Sequence, residues 1–570
     1  MNRNQRPGYT QRLPRRAILR GAAGSAAFFG LGGTLFRPLP GLARGSGLQR
    51  ASQANPSGDT GSTITQFHYD QYRSGWRPAP LTLSGFHKQG SVDFGSAVRA
   101  QPLILEGWQP VKGPLAGQTA DLLFACAAAD TVYCYDAAGL LAGKTTPIWT
   151  QPLGMATNRN GGYLYPEAGI QSTPVIDPQA REMYVVVMQN DGLGTFEDPH
   201  ASYFFYVLDV DSGAILRSAQ LVDAGADGRP TFDGNAQNQR GALTLYNGRI
   251  WAGFSDFLEA DEGDFYGWLV GISLANPTDQ LFWCDSPRTV GGGIWGQGGV
   301  ILRSDGSFYV STGNQANDVP DYWNALGNTY HPPDVGDYFM AILHVNAGPA
   351  GISVTDWFMP ADSRVSGAQD YDLTSGSPLL LENVGGRNLI VHCAKEGIVR
   401  LLDADHLGGW GGGLAQYPVF AGGPEAGSRG APAHLRTPDG VDWVFIVGMG
   451  EPSIIAYTVQ GGAKPGLTEM WRGRPNELLF GNAPGSVMIT GPAGAATLWV
   501  VNEGYDPATG DDNVVPALYG IDASTGHVIY DSTQAAGDDL GKAPHFAPTT
   551  PYADSLFVGT WTGFSWYGAA

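Results

Sequence analysis

"RAQPLIL" (99–105), "QSTPVI" (171–176), "RGALTL" (240–245) and "WGQGGVIL" (295–302) are variants of one phrase, a step of small residues opening into a short apolar strand. The phrase returns as "SGSPLLL" (375–381), "RGAPAHL" (429–435), "PGSVMI" (484–489) and "HFAPTTP" (545–551). Successive steps begin 54 to 80 residues apart, room for four strands and their loops. A supersecondary unit repeated at such a period signals a repeat architecture, and four-stranded units arranged radially make a propeller. Eight steps predict eight blades.

A second phrase follows each step. It is a strand rich in aromatic and β-branched residues that ends in a tight turn, as in "YVLDVDSGAIL" (206–216) and "ALYGIDASTGHVIY" (517–530). Asp bonds nearby backbone N–H groups in such turns and Gly supplies positive φ. "DVDSG" lacks the distal bidentate acid that an EF-hand Ca²⁺ loop requires. The eighth unit is incomplete, because after "HFAPTTP" come only "LFVGTW" (556–561) and "FSWYG" (564–568). Its missing outer strand is expected from the N-terminal side, "SVDFG" (91–95), which would close the ring and remove the open edge. The expected fold is all-β, an eight-bladed propeller of four-stranded blades spanning 63–570.

Composition agrees. Of 570 residues, 82 are Gly and 39 Pro, aromatics make 11% and charged residues only 15%, a mix suited to short strands and tight turns. The formal net charge is −20 and no long basic run occurs outside the N-terminus, which argues against a nucleic-acid partner. "DAAGLLAGKTTPIW" (136–149) imitates a phosphate loop, but the first glycine is one residue too close to Gly143-Lys144, so no nucleotide site is expected. HExxH and GxSxG are absent, and the ten His show no metal-ligand spacing. The acidic stretches "DFLEADEGDF" (256–265) and "YDPATGDDN" (505–513) read either as Ca²⁺-binding loops or as solvated ones. Cys126 and Cys134 flank a predicted hairpin and read either as a disulfide or as two buried thiols.

Alignment of the eight steps puts one residue of each three places before the Pro-equivalent position. These are Arg99, Gln171, Arg240 and Trp295, then Ser375, Arg429, Pro484 and His545. First strands of propeller blades line the central axis, so equivalent positions are expected to ring one channel mouth. Three guanidiniums on one axis form a carboxylate clamp, since each offers a planar fork of donors. The alternative is that each Arg pairs with a local acid such as Glu167, Asp370 or Asp372.

Several stretches carry a family resemblance: "YDQYRSGW" (69–76), "QNQRGAL" (237–243), "GGGIWGQGG" (291–299), "YVSTGN" (309–314) and "AKEGIVRLLD" (394–403). In these the chain resembles the pyrrolo-quinoline quinone (PQQ)-like repeat propellers of the quinoprotein alcohol dehydrogenase-like superfamily, in an uncharacterised exported branch. The resemblance implies that Asp136, Gly143, Lys144 and Trp149 form a blade-docking turn, with the Trp packed between blades. It also implies possible PQQ and Ca²⁺ as cofactors. Arg99, Arg240, Trp295, Lys395, Arg429 and His545 would then contact the cofactor, with Trp295 offering a flat face. Asp372 or Glu396 would act as base, and Glu167 and Asn238 would be Ca²⁺ ligands. The adjacent-cysteine disulfide of methanol-dehydrogenase-type enzymes is absent, and so is a haem-attachment CxxCH. Two functions stay open: a propeller binding a small anionic ligand or a protein partner at its mouth, or a PQQ-dependent dehydrogenase of alcohols or sugars.

Residues 1–44 hold eight Arg and no acid, and Arg15-Arg16 stand just before Leu19 and the mildly apolar segment 21–36. This resembles a twin-arginine export signal, with 1–43 as signal peptide and 44–62 as a polar, disordered linker. The expected location is periplasmic or extracellular, with no membrane span in the mature chain. Replacing Arg15 and Arg16 together by Lys is expected to trap precursor in the cytoplasm. Normal export of that double variant would exclude the twin-arginine route.

Overall fold

The computed structural model describes residues 63–569 apart from 158–166, 195–198, 226–228, 257–264, 316–335, 349–350, 424–425, 475–477, 479, 482–483 and 504–514. The export segment, the linker, the loop 505–513 and most of the acidic loop 256–265 lie outside the described residues.

Among the described residues the strands form eight antiparallel four-stranded units, the blades of a propeller. Blade one runs Leu103–Trp108, Ala120–Ala127, Thr131–Asp136 and Trp149–Pro152 from inside to outside. Each predicted step leads into an inner strand. The strand starts four residues after the step's first residue in seven blades, for instance at Val175 after Gln171 and at Thr244 after Arg240. In blade four the offset is six, so Gln297 rather than Trp295 holds the equivalent position. Blade eight is completed from the N-terminal side as expected, but by His87–Asp93, shifted from 91–95. Ser91 pairs with Ser565 and Asp93 with Gly563, after which Phe94 and Gly95 turn away, both N–H groups on Thr562 O.

Neighbouring blades lock through tryptophan. Trp149, at the start of blade one's outer strand, lies against the blade-two turn Asp209–Gly213 and donates its Nε1–H to Val210 O (3.2 Å). Trp471 does the same between blades six and seven, donating to Ala523 O (2.8 Å) over Gly526. Gly143 and Lys144 are structural, since they close the short helix Ala137–Leu141 and Lys144 N–H donates to Gly139 O (2.8 Å). All four cysteines are free and buried; Cys126 pairs with Val132 and Cys134 with Phe124, so the two thiols do not face each other.

The stretch around "YDQYRSGW" belongs to no blade. Residues 64–77 cross the channel between the inner strands. Ile64 pairs with Ile104 of blade one, Thr65 O accepts from Ile176 N of blade two, and Tyr69 OH donates to Thr549 O of blade eight. Arg73 Nη2 donates to Leu243 O (2.8 Å) and Thr244 Oγ1 (2.9 Å) of blade three. Ser74 O accepts from His434 N of blade six, and Trp76–Arg77 join blade seven as a parallel strand beside Ile489–Thr490. Among the described residues no helix is long and apolar enough to cross a membrane.

The tryptophan lock yields a stability prediction. Gly213 sits at φ +73°, and a Cβ there would meet Trp149 at 2.5 Å, whereas Gly440, at φ +87°, faces open space. Gly440→Ala should cost only backbone strain, about 1 kcal/mol. Gly213→Ala should add overpacking, about 3 kcal/mol in all. Urea unfolding of both variants checks this, and equal losses would contradict a tight lock.

Candidate functional site

Four of the residues placed at the heads of the inner strands converge: Arg99, Arg240 and Arg429 surround His545. Burial first, then Arg240, Arg429 and Arg99, pull the His545 pKa down to about 3, so this imidazole is neutral. Its Nδ1 is hydrogen-bonded to Glu503.

Arg240 is the distinctive member. Its guanidinium carbon lies 4.0 Å from the ring centroid of Trp295 and 4.6 Å from that of Phe546. Its Nε donates to Trp295 O at 3.4 Å. Among the described residues no carboxylate lies within salt-bridge distance of it. Burial, then Arg429, lower its pKa to about 9, with Asp372 opposing. Guanidinium is charged at neutral pH regardless, so this charge is held against an opposing environment. Arg99 Nη1 donates to the backbone O of Glu167 (3.2 Å), and its ring contact is Trp561 at 5.8 Å. Burial lowers Arg99 to about 10, with Glu167 opposing. Arg429 is buried beside Arg240.

On the far side of Trp295 in sequence, an acidic pair meets Lys395. Lys395 Nζ donates to Asp372 Oδ2 (2.8 Å) and Asp370 Oδ2 (3.1 Å) and lies 5.8 Å from the Trp295 centroid. Asn314 adds its backbone N–H to Asp372 (3.1 Å) and its amide to Asp370 (2.9 Å). Burial pushes Asp372 up, but Lys395, Asp370 and the Asn314 N–H together outweigh it and hold the carboxyl below its ordinary value. Asp370, half-exposed, is raised to about 6 by burial and then by Asp372.

The other predicted residues fall elsewhere. Glu396 is committed to a buried ion pair with Arg400 rather than to the mouth. Glu167 Oε2 accepts from Ser96 Oγ (2.8 Å). Asn238 stands on a two-residue strand against Ser255–Asp256, with its Oδ1 buried and unbonded. Among the described residues no group of three or more His, Cys, Asp or Glu side chains converges as a metal site.

Two features escaped the sequence. Phe546 caps Arg240 although its phrase advertised only His545. Gln297 spans the channel, its Nε2 donating to Phe546 O of blade eight and its Oε1 accepting from Ser486 Oγ of blade seven. Two residues along blade one from Arg99, Gln101 Oε1 accepts from His68 N of the crossing segment (2.9 Å). The mouth therefore has a floor: the Gln297 bridge, then residues 64–77.

No family model and no curated protein matches the sequence. Solved structures do match. The quinohemoprotein alcohol dehydrogenase from Comamonas testosteroni aligns with TM-score 0.55 at 12% identity over 89% of this chain and 80% of that chain. A second quinohemoprotein alcohol dehydrogenase, from Pseudomonas putida, gives TM-score 0.57 at 13% identity over the same shares, 89% and 80%. A europium-containing methanol dehydrogenase gives 0.56 at 11% over 88% and 90%. The chain has the eight-bladed fold of these quinoproteins, and at such identities the likeness is one of fold.

The charges at the mouth predict opposite stability effects. Arg240→Met removes an uncompensated buried charge and keeps contact with Trp295, and it should raise the stability of the ligand-free protein by about 1 kcal/mol. Asp372→Ala strips a partner from the buried Lys395 and should cost about 2–3 kcal/mol. Thermal and urea unfolding at pH 7 measure both; a less stable Arg240→Met would mean that its charge is already satisfied.

Proposed function

We propose that this chain is an exported propeller that captures a small polycarboxylate anion at the mouth lined by Arg99, Arg240 and Arg429. Arg240 carries the proposal: a guanidinium without a carboxylate partner among the described residues, crowded by Arg429 and stacked against aromatic rings. Protein interiors rarely keep such a charge without a counter-ion. A bound carboxylate supplies one and takes a charge-assisted pair of hydrogen bonds from the fork. The floor below makes the site blind, which favours a small molecule over a threaded peptide.

PQQ, with three carboxylates, fits the charges of this mouth. It fits the aromatic surface less well, because Arg240 lies over Trp295 where a planar ring would have to stack. A PQQ-dependent oxidation of alcohols or sugars remains the second reading. Asp372 favours it, as an ionised carboxylate next to Lys395 and in the field of Arg240.

Calorimetric titration of propane-1,2,3-tricarboxylate and of PQQ into wild type and an Arg240→Ala/Arg429→Ala variant tests the proposal. Loss of two charged donors should weaken tricarboxylate binding about 100-fold or more. Equal binding to both proteins, or none to wild type, would overturn it. Dye-linked alcohol oxidation that requires added PQQ and Ca²⁺ and disappears in Asp372→Asn would establish the second reading instead.

A further inference from the structure

Gln171 holds the blade-two position of the ring that Arg99 and Arg240 hold in the blades on either side. It is 5% exposed, and among the described residues neither its Oε1 nor its Nε2 has a hydrogen-bond partner. It stands four residues before the inner strand of blade two, the same offset as Arg99 in blade one and Arg240 in blade three. Its backbone thus sits in ring register between two of the three arginines. A buried amide with both ends open is uncommon and costly.

The chemistry of a primary amide narrows the partner. Carboxylate oxygens only accept, so they can satisfy Nε2 but not Oε1. A hydroxyl donates and accepts, and it satisfies both ends at one point. A ligand bearing only carboxylates would leave Gln171 Oε1 open.

We propose that the anion captured here is a hydroxylated polycarboxylate, its carboxylates on Arg99, Arg240 and Arg429 and a hydroxyl on Gln171. This rests on the anion-binding reading above and names the ligand class for the same site. Discrimination then comes from a buried polar group that pairs only when the hydroxyl is present.

Citrate and propane-1,2,3-tricarboxylate differ by one hydroxyl and make the matched pair of probes. Wild type in metal-free buffer should bind citrate about tenfold more tightly. Gln171→Leu keeps the volume and removes both polar ends. It should bring the ratio to about one while leaving the affinity for the hydroxyl-free acid within about twofold. Equal wild-type affinity for the two acids overturns the hydroxyl assignment while anion binding stands, as it would if an ordered water satisfied Gln171. A tenfold preference that survives in Gln171→Leu overturns the role of Gln171. Failure of wild type to bind either acid overturns both readings. The wild-type comparison decides the ligand class even if the variant fails to fold.

Discussion

Arg73 is buried between the inner strands and ties the N-terminal segment across the channel of a ring that otherwise closes only at its rim. Its guanidinium holds Leu243 O and Thr244 Oγ1 of blade three while bonding Phe67 O of its own segment at 2.9 Å. Burial lowers its pKa to about 10, with the neighbouring Asp70 opposing. The segment around it is held in conformations that free peptides avoid. His68, Tyr69 and Arg73 all have φ between +56° and +70°, and Tyr69 is far too bulky to prefer that region. Such strain persists only where surroundings over-determine it, and the contacts to blades one, two, three, six, seven and eight do so. The pairing of His87–Asp93 with blade eight then joins the two ends of the repeat array and gives the last blade its fourth strand.

That constraint determines what the opposite mouth can be. An open propeller channel would let water and ions pass along the axis and would screen the arginines from below. Here the crossing segment and the Gln297 bridge close the axis just beneath Arg99 and Arg240. Charges in the mouth therefore face a low-dielectric floor, where their mutual repulsion is stronger than in water. Trp295 and Phe546 hold the Arg240 guanidinium in place through its π face, which leaves its N–H edge available for in-plane bonding. Stacking fixes the fork without neutralising it, and an arginine paired to an acid could not offer this.

The blade count was legible because each inner strand must begin with small residues where eight backbones crowd an axis, and that requirement writes the same step eight times. The tryptophan lock was legible for a related reason, since an indole seated on a glycine turn demands a fixed pair of residue types. The convergence of Arg99, Arg240, Arg429 and His545 followed from the alignment. Blade four departed from it because two extra residues, with no sequence mark of their own, shift Trp295 out of register and bring Gln297 to the equivalent position. Glu396 could not be placed from sequence either: neighbouring residues on a turn point in different directions, so Lys395 reaches Asp372 while Glu396 turns to Arg400. The crossing segment was visible only as a distinctive string, "YDQYRSGW", because its partners are backbone groups on six different blades and no local pattern encodes them.

The three arginines at the mouth stand in a protein of net charge −20, whose acids oppose their field. The opposition is mostly one of distance. At physiological ionic strength, charges farther away than about 8 Å are largely screened, so the acids scattered over the surface contribute little inside the mouth. Two unit charges about 4 Å apart interact by about 4 kcal/mol at the effective dielectric of a protein surface. One guanidinium in contact therefore outweighs many remote carboxylates. The acidic exterior acts instead on encounter: it slows the approach of any anion, whereas the time a ligand remains is set by the donors it touches. A surface of one sign thus surrounds the opposite charges of Arg99, Arg240 and Arg429 without cancelling them.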